Sequence, residues 1–468
     1  MSASSSQASP SSSSQYHHFV PRFLLRNFAV FKNPGKVVPK TSKKGKNRTP
    51  QPQKLTVLDL QRGEFKQGDV SETFGIVDMY RDFEEVDRDQ QKLERELSVL
   101  ENAAADILAR VKRIHDAGKN QVQLSRKEKD TLRRFLFIMM YRNSSFAKRF
   151  QTSRKDYDAD DRVEMLAYMD ERGFQSPRDV WFANIRAFLK VELDEDWPNA
   201  LENLSRRAYP SDARWFFTHI QAFFIAFCTP KKTEEEFLLT QNAYGVYEGP
   251  TSAGPWTDYH RFAPVSPKIM IVLRSLLLPF AGVEQDAGIR QMLESTKSMH
   301  PDPDKAGSFL EDMPVSRAGN NYSRVINGRV ELLSTKMSRD KHIFYFPFFA
   351  LDHDHVQKIN MICLENAHDT STIVYKSPES LRTALEFYLT DKTPGFKVIC
   401  GSRPNDSDYL HRMVREMGLL SHVRREDEMR PYLQLLHKFA RQLGSTVDLE
   451  YNVLNGLGSI FTTAMRTE

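Results

Sequence analysis

Leu93-Glu94-Arg95-Glu96-Leu97-Ser98-Val99-Leu100-Glu101 opens the stretch whose reading decides the fold class. Continued through Ala104, Ile107, Val111 and Ile114, its apolar residues recur at steps of three and four. That spacing is one face of an α-helix. It predicts a helix from about Asp82 to Ala117, with Gly118 placed to end it. Ser125-Arg126-Lys127-Glu128 then reads as a capping box, opening a second helix that runs to about Arg142. Two such helices joined by a short polar loop predict an antiparallel hairpin.

The same signals extend along the chain. Arg162 to Glu171 reads as a helix, and Ser176-Pro177-Arg178-Asp179 starts another with serine at the cap and proline in the first turn. Ser211 to Cys228 reads as one more helix, stopped by Pro230. Strand character is expected at Leu55 to Leu60, Phe237 to Thr240, Tyr244 to Tyr247, Phe262 to Pro264 and His342 to Phe349, with Pro347 placing the last at a sheet edge or end. Helices return near 352–368, 378–390, 405–420, 427–443 and 447–464. The fold class expected is predominantly α with a small, mostly antiparallel β-sheet (α+β).

Composition sets the organisation. Residues 1–15 are a serine-rich tail that cannot bury a core. Residues 16–464 read as one large helical α+β unit with a division, if any, near 229–236. Residues 32–54 are a basic, proline-bearing loop without an acidic residue, read as a plain linker, as a nuclear import signal or as an electrostatic contact with nucleic acid. Residues 284–320 read as an irregular surface excursion. The net charge of +5 over 468 residues is too small to mark a nucleic-acid binder by itself. Three widely spaced cysteines give neither a disulfide framework nor a cysteine zinc site, so a reducing, intracellular setting (cytoplasm or nucleus) is expected. No signal peptide and no apolar run of about 20 residues is seen, so no membrane span is expected.

Candidate chemistry begins at Tyr16-His17-His18-Phe19-Val20-Pro21-Arg22-Phe23-Leu24-Leu25-Arg26-Asn27-Phe28. With Pro21 at the first helical position, Arg22 and Arg26 share one face. Two like charges at that spacing cost roughly 0.2–0.5 kcal/mol unless an anion lies between them. A phosphate or carboxylate bound by His18, Arg22, Arg26 and Asn27 would answer that cost; acidic partners from the long helix would answer it too. Glu94 and Glu101, seven residues apart, lie on one stripe of that helix and are candidate general bases alongside His18 or metal ligands, or else solvated side chains or ion-pair partners of arginines. Asn360 falls on the apolar face made by Val356, Cys363 and Ala367. An amide there is either a hydrogen-bonded pin or part of a polar pocket. Asp352-His353-Asp354-His355 fails as a metal cluster, because residues two apart on a helix point to different sides. No recognisable metal site is assigned, and the cofactor, if one is used, is left unknown by the residues.

His18-Phe19-Val20-Pro21 with the residues that follow to Phe28 resembles the His-Xaa-Xaa-Pro signature that opens the domain of unknown function 4238 family. The resemblance extends through the acidic helix at Leu93-Glu94, the segment Phe237 to Tyr244, Ser266-Pro267-Lys268, and Asn360 to Ala367 followed by Val374-Tyr375-Lys376-Ser377. It looks closest to fungal-type members. It implies positions rather than an activity: His18, Pro21 and Arg26 match the opening motif. Asn242 stands where many members have an aspartate, and Arg22 where glutamine is frequent. An amide at 242 cannot act as a general base. Asn242 therefore joins His18, Arg22, Arg26, Asn27 and Asn360 as a binding candidate only. The leading functional expectation is a nucleic-acid- or phosphate-binding protein, with hydrolysis as its chemistry. The alternatives are a non-catalytic protein-interaction module and an enzyme acting on a small molecule. Oligomeric state is not encoded in any feature of the sequence.

Overall fold

Phe223-Phe224-Ile225-Ala226-Phe227-Cys228 is apolar at every position, and its side chains go alternately to two different cores. Phe223, Ile225 and Phe227 join one buried cluster; Phe224, Ala226 and Cys228 join another. A strand covered on both faces reads as a continuous apolar run. The run is therefore the strand Phe223–Pro230, and the expected helix from Ser211 to Cys228 ends early, as Pro210–Gln221. Periodicity alone does not separate a short buried strand from a buried helical segment.

In this computed structural model the described residues are 15–30, 53–81, 92–193, 197–249, 258–279, 285–298, 306–326, 329–333, 337–393, 397–400, 424–450 and 452–454. The serine-rich tail up to residue 14, most of the basic loop, the first part of the predicted helix from Asp82, the helix expected near 405–420 and most of 447–464 lie outside them. The sheet component is larger than expected. Phe223–Pro230 sits inside a seven-stranded sheet, in the order Gly319–Asn320, Ile343–Leu351, Phe223–Pro230, Ile269–Ser275, His260–Ser266, Val246–Glu248, with Gln121–Ser125 also paired to Ile343–Leu351. The sheet is mixed, because Ile343–Leu351 runs parallel to Phe223–Pro230 while the other pairings are antiparallel. Pro347 is not at the edge of this sheet. It closes the ladder to Gln121–Ser125, and the ladder to Phe223–Pro230 starts at Phe348, so its missing N–H falls at the change of neighbour.

Three helices position the site. α1 is Arg22–Phe28, α2 is Lys92–Asp116 and α3 is Arg126–Tyr141. α2 buries Leu93, Leu97, Leu100, Ala104, Ile107, Leu108 and Val111 along its predicted face. Gly118 ends that region with φ of 70°, a left-handed conformation that glycine adopts without strain. The predicted capping box at Ser125 and Glu128 is formed. The linker between the two helices is not a plain loop. Val122 and Leu124 alternate inward from the strand Gln121–Ser125, which joins the central sheet.

The helices and the first core cover one face of the sheet. On the other face, Met270, Val272 and Phe262 pack with residues of the helices His353–Glu365, Pro378–Thr390 and Glu426–Gln442. A four-stranded antiparallel sheet, Glu64–Asp69, Lys54–Asp59, Thr372–Tyr375, Leu239–Thr240, joins distant parts of the sequence. The stretch 284–320 is neither irregular throughout nor confined to the surface. It holds the helix Ala287–Ser298, and Leu310, Met313 and Val315 enter the second core. Among the described residues no helix is long and apolar enough to cross a membrane.

Candidate functional site

The opening motif is a strand, a turn and one short helix. Tyr16–His18 pairs antiparallel with Gly75–Val77, setting His17 opposite Ile76 and His18 opposite Gly75. Strand geometry sends the two histidines to opposite sides. His17 goes inward, packs on the Tyr80 ring at 5.5 Å, and accepts the Tyr80 backbone N–H at Nδ1 (3.2 Å). His18, only partly buried, contacts the Thr73 carbonyl through Nδ1 at 3.0 Å. A carbonyl can only accept, so Nδ1 carries the ring proton and Nε2 the lone pair. Burial lowers the His18 pKa to about 4, and Arg22 and Arg142 push the same way against the Thr73 and Ser71 carbonyls. His18 is therefore neutral at physiological pH.

The turn facing His18 is held tightly. Tyr16 Oη donates to the Glu72 carbonyl and accepts the Gly75 N–H, both at 2.9 Å. A Cβ at Gly75 would lie 2.4 Å from the Tyr16 ring. Phe74 has φ of 57°, a strained value for an aromatic residue. Its carbonyl accepts the Phe19 N–H at 3.0 Å.

Pro21 occupies the cap of α1 rather than its first helical position. Arg22 and Arg26 still share a face, but both are exposed. Arg26 has no ion-pair partner among the described residues, so the expected pairing with the acidic helix is not made there. Asn27 instead ties α1 to the central sheet, donating to the Val265 carbonyl at 2.9 Å.

α2 brings the carboxylates to this segment. Burial raises the Glu94 pKa to about 7, Glu101 adds to that, and Arg142 and Arg22 oppose it. Glu94 is thus near half-ionised at neutral pH. Glu101 is differently placed, accepting from Arg142 Nη2 at 2.5 Å. Arg142 follows the last residue of α3, is 1% exposed, and lies over the Tyr80 ring at 5.9 Å. Its Nε and Nη1 groups find no hydrogen-bond partner among the described residues. Burial disfavours its charge, but Glu101, Tyr80 and Glu94 together outweigh that, and the net effect holds it firmly cationic.

Arg22 and Arg142 thus act electrostatically on both His18 and Glu94, and Arg142 pairs with Glu101. The residues that sequence reasoning missed are Arg142, Tyr80 and the turn 71–75. Arg142 left one trace: a lone cation ending a run of seven apolar residues, Phe135 to Tyr141. The turn left none, since it is defined only by strand pairing.

The two other asparagines spend their amides on nearby backbone and hydroxyl groups, although Asn242 follows Gln241, which lines a cavity with Tyr16, Thr73 and Gly75 of the opening motif. Asn360, fully buried, accepts the Leu238 N–H at 3.1 Å and donates to the Glu236 carbonyl at 2.9 Å. Asn242 accepts from Thr240 Oγ1 at 2.7 Å and donates to the Asn366 carbonyl. Both pin the chain between the second core and the four-stranded sheet. Among the described residues no three His, Cys, Asp or Glu side chains group so as to hold a metal ion.

Fold and site define an α+β protein whose opening strand and helix hold a neutral histidine and an exposed arginine near the buried Arg142, which pairs with Glu101 of α2. The chain belongs to the family described as protein of unknown function (DUF4238), whose model matches residues 16–380. No curated protein and no solved structure matches it.

Proposed function

We propose that the chain binds a phosphate-bearing ligand at the opening motif and hydrolyses its ester there. The observation that carries this reading is that Arg22 acts electrostatically on both His18 beside it and Glu94 on α2, as does the buried Arg142. Arg22 and Arg26 offer exposed positive charge to an anion. Glu94 supplies proton transfer, since a general acid or base works best with a pKa near the operating pH. As carboxylate it takes a proton from water as the water oxygen bonds to phosphorus. As acid it returns that proton to the departing alkoxide. His18 Nε2 accepts a hydrogen bond from the attacking water or from a substrate hydroxyl. The Glu101–Arg142 pair fixes the charge behind Glu94 and acts as a positioning pair.

Arg133, Arg134 and Arg142 do not form an exposed basic face. Arg133 donates to the Phe223 carbonyl, Arg134 to the Val191 carbonyl, and Arg142 is buried. This supports a compact phosphate ester, or one exposed phosphate of a strand, over a duplex gripped along its length. A non-catalytic interaction module is the second reading, favoured by the purely structural roles of Asn242 and Asn360.

The test is incubation of the full chain with labelled single-stranded RNA, duplex DNA and a small phosphomonoester across a salt series, followed by analysis of probe integrity. Expected are binding that weakens with salt and with Arg22→Ala/Arg26→Ala, and turnover that Glu94→Gln removes while binding stays. Neither binding nor turnover at low salt would overturn the reading. Binding without turnover would leave an anion-binding module.

A further inference from the structure

A cavity of about 460 Å³ lies near the opposite end of α3 from Arg142, between that helix and the central sheet. Its lining joins Lys129 and Arg133 of α3 with Arg317, over a floor that includes Phe223, Ile225, Phe344 and Phe346. No carboxylate is among these lining residues. Arg126 stands one turn before Lys129 and lies over the Phe344 ring at 5.3 Å. The Lys129 ammonium is 3.7 Å from the centre of that ring.

On α3 the spacing 126, 129, 133 stacks three cations on one stripe, which is unfavourable unless opposite charge is near. Asp130 is the carboxylate that offsets Lys129 and Arg133. One Arg133 N–H is used on the Phe223 carbonyl, and Arg126 is used on the His342 ring. Positive charge therefore remains in excess, in a partly enclosed space with an apolar wall.

We infer that this cavity is a second ligand site, taking a small phosphomonoester with its phosphate on Lys129, Arg133 and Arg317 and its organic part on the aromatic floor. Guanidinium groups match phosphate oxygens in forked geometry. The volume is in the range of small-molecule pockets, about 300–1,000 Å³. The inference does not depend on the opening motif. The state of Lys129 agrees with it: burial lowers its pKa to about 7, with Arg133 acting in the same sense. A dianion beside it restores the full charge, so binding above neutral pH takes up a proton.

The experiment is calorimetric titration of the full chain with phenyl phosphate, inorganic phosphate and succinate, in two buffers of different ionisation heat. Saturable binding of phenyl phosphate is expected, tighter than inorganic phosphate, with proton uptake. Arg317→Gln, at an exposed position, and Lys129→Gln are each expected to weaken it about tenfold, equal to about 1.4 kcal/mol. Arg22→Ala is expected to remove only the binding at the opening motif and to leave the proton-linked event at this cavity in place. Three results would each overturn the inference: no saturable binding at roughly millimolar ligand, binding lost in Arg22→Ala but kept in Arg317→Gln, or succinate bound as tightly as phenyl phosphate.

Discussion

Replacing Glu94 by glutamine makes a strong test of the site, because it separates charge from shape. Glutamine keeps the volume and one acceptor oxygen but cannot ionise. In the folded protein the Glu94 pKa stands at about 7, against 4.5 for the free side chain. At about 1.36 kcal/mol per unit, the shift corresponds to at most about 3 kcal/mol of destabilisation once the carboxylate is ionised. Glu94 is only partly buried, so solvent screening reduces this to about 1–2 kcal/mol. The sign follows from proton binding. The folded state holds the proton more tightly, so this group's contribution to stability is present below pH 4.5 and is lost as pH rises through about 7. Glutamine has no such loss. Denaturant unfolding of both proteins at about pH 5 and pH 9 is therefore expected to show Glu94→Gln gaining about 1–2 kcal/mol relative to wild type at the higher pH. His18 titrates identically in both, to first order, and cancels. A difference that does not change with pH, or that changes in the other direction, would refute the claim that Glu94 is a destabilised carboxylate held for proton transfer.

Removing Arg142 leaves Glu101 without its partner; Arg142→Met is expected to cost about 2–3 kcal/mol of unfolding free energy, less than the loss at a fully enclosed pair, and to raise the Glu94 titration midpoint further. Arg26→Ala, in contrast, is expected to stay within about 0.5 kcal/mol of wild type by melting, since Arg26 is exposed; a large loss would show that its environment is misread. Asn360→Leu strands the Leu238 N–H in the core and leaves the Glu236 carbonyl only its 3.4 Å bond from Ser380 Oγ, so about 1–3 kcal/mol should disappear from the unfolding free energy. For His18, NMR titration should find the ring neutral at about pH 6, and its share of the stability should fall away as pH drops from 6.5 towards about 4; a midpoint at the ordinary histidine value would contradict its burial.

The surviving expectations were those written in short-range pattern. The stripe from Leu93 to Val111, the capping box at Ser125, the serine cap at Ser176 and Gly118 at a helix end depend on residues three or four apart, and helix geometry makes such neighbours meet wherever the helix lies. The opening motif was legible for the same reason, as an abrupt mixture of His, Arg and apolar residues. Other readings needed partners distant in sequence. Phe223 to Cys228 became a strand because both its faces found cores. Pro347 entered the middle of a sheet because its missing donor fell between two ladders.

By itself, then, the sequence determined a helix-rich α+β chain, the helix ends marked by caps and Gly118, and His18, Arg22, Glu94 and Glu101 as groups needing explanation. Tertiary structure alone decided what each became. It paired Glu101 with Arg142, left Glu94 poised near neutrality, turned His18 rather than His17 towards the charged cluster, and made Asn242 and Asn360 pins. The physical reason is range. Helix and cap signals act within one turn, whereas the burial, charge and hydrogen bonding that set a side chain's chemistry come from residues tens to hundreds of positions away.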